Sequence, residues 1–455
     1  MALALEIAKR ANALRFDDFP DEAVNWAKVA ITDMLGCALA GAGEDTSGIA
    51  LKLSAAEHQG GKCTVLGTAV RLPSLDAAFV NGVAGHALDF DDTSKSMAGH
   101  PTVIILPPIL ALGEDLDVSG RALLEAYVVG LETATRIARG VNFYHYEKGW
   151  HPTSTLGIFG AAAACGRLLG LDDSKLATAL SICVSLACGV KSNFGSQTKP
   201  LHAGVAARNG LLAARLASQG FTASAEAFEH PQGFLAVFNG PGHYDAARIL
   251  PDWGQPLDLL APGISIKKYP CVYSVHGAID CAVALRQKYG LRPEAIKRVM
   301  VTMHERRLLP HVQRRAENAL DAKFSLSYAV ARALVDGRVS LDHFEGKAYA
   351  DPVVHRVMGT IVTQGHSDDA RDYSAEVRVE LSDGRHCVEA VPAPVGQGPE
   401  NPLTPEMLRA KFEDCAGRVL EVSQINSLFE ALRAIDSISS VRALTTMMIK
   451  DRSFT

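Results

Sequence analysis

Several familiar catalytic signatures are missing from this sequence of 455 residues. It has no G-x-x-x-x-G-K-[ST], no G-x-G-x-x-G after a strand, no H-E-x-x-H and no G-x-S-x-G. Nucleotide hydrolysis through a phosphate loop, dinucleotide chemistry through a Rossmann fingerprint, zinc proteolysis and α/β-hydrolase chemistry therefore lack their usual residues. A basic excess is missing too. Lys and Arg total 45 against 50 Asp and Glu, a net charge of −5, and nucleic-acid binding normally leaves a positive footprint. No apolar run reaches the roughly 18–20 uninterrupted residues that a membrane span needs; Val103–Leu112 and Leu156–Cys165 are shorter and read as buried helices. The N-terminal MALALEIAKRANALRF carries charges within its apolar part and has no cleavage pattern, so a signal peptide is not expected. The nine cysteines are odd in number, irregularly spaced and without C-x-x-C, which points to a reducing, cytoplasmic setting.

What is present is the balance of an ordinary soluble protein, 48% hydrophobic and 21% charged. The length exceeds that of a single core, so two domains are expected. The first part is helical. Asp21–Ala40 repeats apolar residues at helical spacing after Pro20 and before Gly41. Similar segments cover Asp76–Leu88, Gly120–Ala138, Ser154–Leu169, Ser174–Gly189, Ala203–Ser218 and Ala223–Phe228, several rich in Ala and Gly and suited to close helix packing. After about Pro262 the pattern changes. Val299–His304 reads as a strand, and Ala375–Leu381 pairs with Cys387–Val391 across the turn Ser382-Asp383-Gly384. Pro392–Pro402 reads as a linker, after which helical pattern resumes over Pro405–Val419 and Val422–Leu432. The fold class is mainly α with an inserted α+β domain. A large all-helical domain is built from both chain ends, residues 1–261 and 398–455, and a smaller α+β lid domain covers 262–397.

Polar clusters interrupt the apolar background. Gly85–Thr93 (GHALDFDDT), with His100-Pro101-Thr102 after it, sets three acids within four residues at a helix end. Such acids must be protonated, paired or bound to a cation. Carboxylates at this spacing can hold Mg²⁺, but no further ligand group is evident, and the expectation is no metal. Trp150-His151-Pro152-Thr153 opens an apolar helix, with Tyr144 and Tyr146 just upstream. Gln197–Gly204 (QTKPLHAG) places Lys199 and His202 at another helix start, where backbone N–H groups favour an anion. Lys267-Lys268-Tyr269-Pro270-Cys271 and His276 lie near the expected domain junction, a common place for small-molecule sites. Cys271 reads as a buried thiol. Phe324–Tyr328 lies on an apolar helix. Each cluster alone has an ordinary explanation, as a helix cap, a solvated lysine or a core phenol.

In this order the clusters resemble the MmgE/PrpD family. The resemblance runs from DMLGCALAG through NGVAGHALDFDDT, HPT, GWHPTSTLG, QTKPLHAG, EHPQGF, KKYPC and AKFSLSYAVA to NPLTPEMLRAKF. GHALDFDDT followed by K-x-Y-P-C is its most specific part. The resemblance implies a cofactor-independent homodimer acting next to a carboxylate of a small di- or tricarboxylate, without nucleic-acid or membrane partners. The family's reactions include dehydration of 2-methylcitrate, epimerisation of iminodisuccinate and decarboxylation of cis-aconitate. Its active-site positions fall here on Asp89, Thr93, His100, His151, Lys199, Lys267 and Tyr328. His151 is then the candidate general base or acid. Lys199, Lys267 and His100 stabilise developing negative charge, Asp89 tunes a neighbouring histidine or lysine, and Tyr328 delivers a proton. Thr93 contacts substrate, with His202, His276, Tyr144 and Tyr146 as further binding candidates. One position departs from the pattern. Val272 stands where the decarboxylase carries a histidine, and His276 matches a more general family histidine. Dehydration is the first expectation and epimerisation the second, with decarboxylation of cis-aconitate or a non-catalytic carboxylate-binding role behind them.

Overall fold

The computed structural model describes residues 2–58, 60–310 and 312–450; Met1 and 451–455, the extremes of the expected first domain, lie outside them. The chain folds as two units, Met1–Ile266 with Thr404–Thr455, and Lys267–Leu403. The architecture is mainly helical with a small sheet in the second unit, as the patterning implied.

In the larger unit the helices are α1 (Leu3–Ala13), α2 (Asp21–Gly41), α3 (Asp45–Glu57), α4 (Ser74–His86), α5 (Thr102–Leu116), α6 (Gly120–Arg139), α7 (Tyr144–Lys148), α8 (Pro152–Leu168), α9 (Asp173–Leu186), α10 (Thr198–Ser218) and α11 (Phe234–Asn239). The chain rejoins this unit in α16 (Pro405–Ala416), α17 (Val422–Arg433) and α18 (Val441–Thr446). α8 packs against α5, α6 and α10, and α10 against α4. The small residues permit this closeness. A Cβ on Gly130 of α6 would fall 2.7 Å from the Gly160 carbonyl oxygen of α8, and one on Gly204 of α10 would fall 2.5 Å from the Phe79 carbonyl of α4. Those crossings carry the ends of α4, α8 and α10 to one place.

Three sequence expectations need correction here. The larger unit is not wholly helical: β1 (Cys63–Thr64) pairs antiparallel with β2 (Arg71–Leu72), and β3 (Thr93–Ser94) with β4 (Ile264–Ser265). The helix expected from Ala203 begins at Thr198; Pro200 falls in its first turn, where no backbone N–H is needed. Ala223–Phe228 forms turns rather than a helix, with Phe228 packed against Phe159 and Phe234.

The smaller unit has α12 (His276–Tyr289), α13 (Ala319–Phe324), α14 (Leu326–Asp336) and α15 (Pro352–Met358), and a sheet of order β6-β5-β7-β8, from β5 (Ile296–His304), β6 (Ile361–His366), β7 (Ala375–Leu381) and β8 (His386–Val391); α12 packs on β7 and β8, and α14 on α12 and α15. β5 runs parallel to β6 and antiparallel to β7. The expected hairpin is β7–β8, with Glu380 opposite His386 and Gly384 at φ +87° in the turn. Alternate residues of β7 (Ala375, Val377, Val379 and Leu381) face the core beside Ile279 and Ala282 of α12. Among the described residues no helix is long and apolar enough to cross a membrane.

Candidate functional site

The candidate site lies where α4 ends and α8 and α10 begin. His86 is the last residue of α4. Beyond it Asp89 takes φ +54°, a left-handed conformation that Asp tolerates better than most residues. This turn sends Asp89 and Asp91 to different partners. His151 is the N-cap of α8, and Lys199 and His202 ride the first turns of α10.

Asp91 is fully buried and faces two imidazoles. His86 Nδ1 lies 2.9 Å from Asp91 Oδ2 and 3.0 Å from Oδ1. His100 Nδ1 lies 3.2 Å from Oδ2, a close contact without hydrogen-bond alignment. Burial alone would raise the Asp91 carboxyl, but the facing His100 and His86 rings hold it well below the usual carboxylate range. Burial brings His86 down to about 4. At neutral pH His86 is therefore uncharged and donates Nδ1–H to an ionised Asp91, so the lone pair is on Nε2. That Nε2 is buried and makes no hydrogen bond among the described residues.

Asp89 Oδ1 accepts the Lys199 ammonium at 2.9 Å and lies 3.7 Å from His100 Nε2. His151 and His202 meet Nδ1 to Nδ1 at 3.1 Å. Phe194 stands edge-on to His151 at 4.8 Å, and the Lys199 ammonium lies 5.1 Å from the Phe194 ring centre. Burial, with His86 and Lys199 adding to it, keeps His151 well below its ordinary value, and burial brings His202 to about 4. Two neutral imidazoles sharing Nδ1 atoms must hold complementary tautomers. When His151 is the donor, its Nε2 is an unprotonated base; when His202 donates, His151 presents Nε2–H.

Asp92 has a third environment. It accepts from the Thr102 hydroxyl, which contacts the Tyr127 phenol at 2.7 Å, and burial raises its carboxyl to about 8. The three acids of the motif thus take different states. Asp89 pairs with an ammonium, Asp91 with imidazoles, and Asp92 keeps its proton at neutral pH. The ligand atoms of His86, Asp89, Asp91 and His100 lie within 4.8 Å of one another, close enough to surround a cation. The Lys199 ammonium on Asp89 opposes a second positive charge there.

Among the sequence candidates, Asp89, His100, His151, Lys199 and His202 converge in this cluster. Thr93 sits in β3 opposite Ser265. Tyr144 stacks on His243 at 3.8 Å and Tyr146 carries the Lys191 ammonium 3.3 Å above its ring. In the smaller unit Lys267 is buried. His276 lies between Tyr269 and Tyr273 with Nε2 3.3 Å from the Cys271 carbonyl. The Tyr328 hydroxyl donates to the His343 carbonyl and accepts from Arg332 Nε at 3.1 Å. Sequence reading passed over His86 and Asp91, although both lie in the motif it weighed. Their signal was an imidazole closing an apolar helix five positions before an acid.

The buried imidazoles have a consequence for stability. His86, His145 and His202 each stay neutral in the folded chain down to about pH 4, whereas an unfolded imidazole takes its proton near 6.5. Below pH 6.5 the unfolded chain binds more protons, so this stability is complete above 6.5 and is lost as pH falls toward 4. Calorimetric melting temperatures should decline steadily from pH 6.5 to about 4.5; a flat profile would mean these rings are not held neutral.

Comparison with known proteins shows what this chain is similar to. The MmgE/PrpD N-terminal domain model matches residues 5–247 and the C-terminal domain model residues 269–435. The cis-aconitate decarboxylase of Homo sapiens is 30% identical, covering 97% of this chain and 93% of that protein. The Mus musculus cis-aconitate decarboxylase is 29% identical over 96% of this chain and 91% of its own length, and that of Aspergillus terreus 28% identical over 97% and 95%. With both domain models matched in order and relatives aligned almost end to end, the chain belongs to the MmgE/PrpD family of enzymes.

Proposed function

We propose that this protein is a cofactor-independent lyase that removes a proton from carbon beside a carboxylate of a small di- or tricarboxylate, with loss of water from a hydroxylated substrate of the 2-methylcitrate type. The observation that carries the reading is the adjacency of neutral bases and a fixed cation. His151, paired with His202, accepts the proton at Nε2 and returns it from the resulting imidazolium to the departing hydroxyl, which leaves as water. The Lys199 ammonium faces the negative charge that builds on the substrate carboxylate as the carbon acid ionises. Asp91 holds His86 in one tautomer beside them. A buried ring held neutral keeps its lone pair available at neutral pH.

A second reading, decarboxylation of cis-aconitate, is favoured by the names of the relatives. Val272 weighs against it, since an isopropyl group cannot supply the proton-transfer function of an imidazole.

The test is proton NMR in D₂O with 2-methylcitrate, citrate, cis-aconitate and an amino dicarboxylate panel. A hydroxylated substrate should lose its methylene signals as an unsaturated product appears. Carbon dioxide release from cis-aconitate would install the second reading. Deuterium exchange without a new product would replace both with epimerisation.

A further inference from the structure

The loop that carries Asp89 and Asp91 is held from behind by the returning chain. Lys411 of α16 is buried, and its ammonium makes three contacts. It pairs with Asp33 of α2 at 2.5 Å, donates to the Phe90 carbonyl at 2.9 Å, and lies 3.8 Å from the centre of the Phe90 ring. Phe90 stands between the two site acids. Its carbonyl oxygen belongs to the peptide that joins it to Asp91, and Asp89 just before it occupies left-handed backbone. We propose that Lys411 is a positioning residue for the site, fixing the Phe90 peptide so that Asp89 meets Lys199 and Asp91 meets His86.

The physics separates this from a merely stabilising role. A buried ion pair adds little net stability, because taking both charges out of water costs about as much as their attraction returns, and apolar groups of similar volume often serve as well. Packing alone would accept a methionine. What an apolar side chain cannot do is donate to the Phe90 carbonyl while its own charge is balanced by Asp33. A long-range contact of this kind, 321 residues apart in sequence, also means that the site loop is complete only when the C-terminal segment has docked.

The proposal rests on the functional reading above for its kinetic arm, but not for its structural one. The variant to make is D33N/K411M, which removes both charges and leaves no orphaned ion. D33N alone keeps the bond to Phe90. Turnover of D33N/K411M should fall about 30- to 100-fold, as expected for a small displacement of reacting groups, with KM within about threefold and the melting temperature little changed. D33N, which keeps the bond to Phe90 but leaves the Lys411 ammonium buried without its counter-ion, should melt lower than the parent while its folded fraction keeps turnover within about threefold. Hydrogen exchange read by mass spectrometry should quicken at the amides of 89–93 in D33N/K411M, without quickening in α4 or α5. Turnover within threefold of the parent in a folded D33N/K411M, or exchange unchanged at 89–93, overturns the proposal. So does exchange that quickens throughout α4 and α5 together with a lowered melting temperature. If the parent itself turns over no tested carboxylate, the exchange experiment still decides the positioning role and the functional reading fails separately.

Discussion

Asp91→Asn should lower turnover by about a thousandfold to ten-thousandfold while leaving a folded protein. The change is isosteric, so packing around position 91 survives. What changes is the proton map. An ionised Asp91 only accepts, and it therefore fixes the proton of His86 on Nδ1. An amide can present N–H₂ to the same nitrogen, and the His86 proton then moves to Nε2. Exchanging the orienting carboxylate of a buried histidine for its amide costs about 10⁴ in turnover where the wrong tautomer results. Asp91 also faces His100 at 3.2 Å, so its loss removes the anion beside a second ring. Steady-state kinetics with circular dichroism and a melting curve would check this. Turnover within tenfold of the parent would show that the Asp91–His86 pair does not serve the reaction.

The helices of this protein are legible in its sequence where amphipathic or Ala/Gly-rich patterns run long. α2 and α6 begin where the periodicity places them, and the β7–β8 hairpin follows from strict alternation around a Gly turn. β6 is not legible. It is an edge strand, largely exposed, with the mixed sequence Ile361–His366, and its pairing is parallel to β5. Nothing local distinguishes such a strand from a loop, because its partner supplies the ladder. The site was legible to a similar degree. The DFDDT motif marks itself by crowding three acids. Which acid would be charged depends on residues brought by other elements: His100 and His86 at Asp91, Lys199 at Asp89, Thr102 at Asp92. Lys411 was invisible for the same reason. In sequence it is one lysine on an amphipathic helix, and only the fold shows Phe90 and Asp33 against its ammonium.

Lys199→Met should lower kcat/KM by about a hundredfold to a thousandfold, the range lost when one preorganised charge-stabilising donor is removed from a site. The single variant is ambiguous by itself, because Lys199 has two duties. It neutralises Asp89 at 2.9 Å, and in the proposed reaction it also faces the charge growing on the substrate. Removing it leaves a carboxylate in a buried place, and that alone costs both stability and activity. The double variant Asp89→Asn/Lys199→Met separates the duties. If the ammonium serves only to balance Asp89, the double variant should regain most of the lost activity and the melting temperature of the parent. If the ammonium acts on substrate, stability should return while kcat/KM stays at least about a hundredfold low. The second outcome is expected. Lys199 sits in the first turn of α10, where the helix N-terminus already favours an anion, and the neutral His151–His202 pair beside it adds no charge of its own. Stabilisation of a forming carboxylate-derived anion therefore falls on the one ammonium that the cluster contains among the described residues. Full recovery of kcat/KM in the double variant would remove Lys199 from the reaction and with it the carbon-acid mechanism built on its charge.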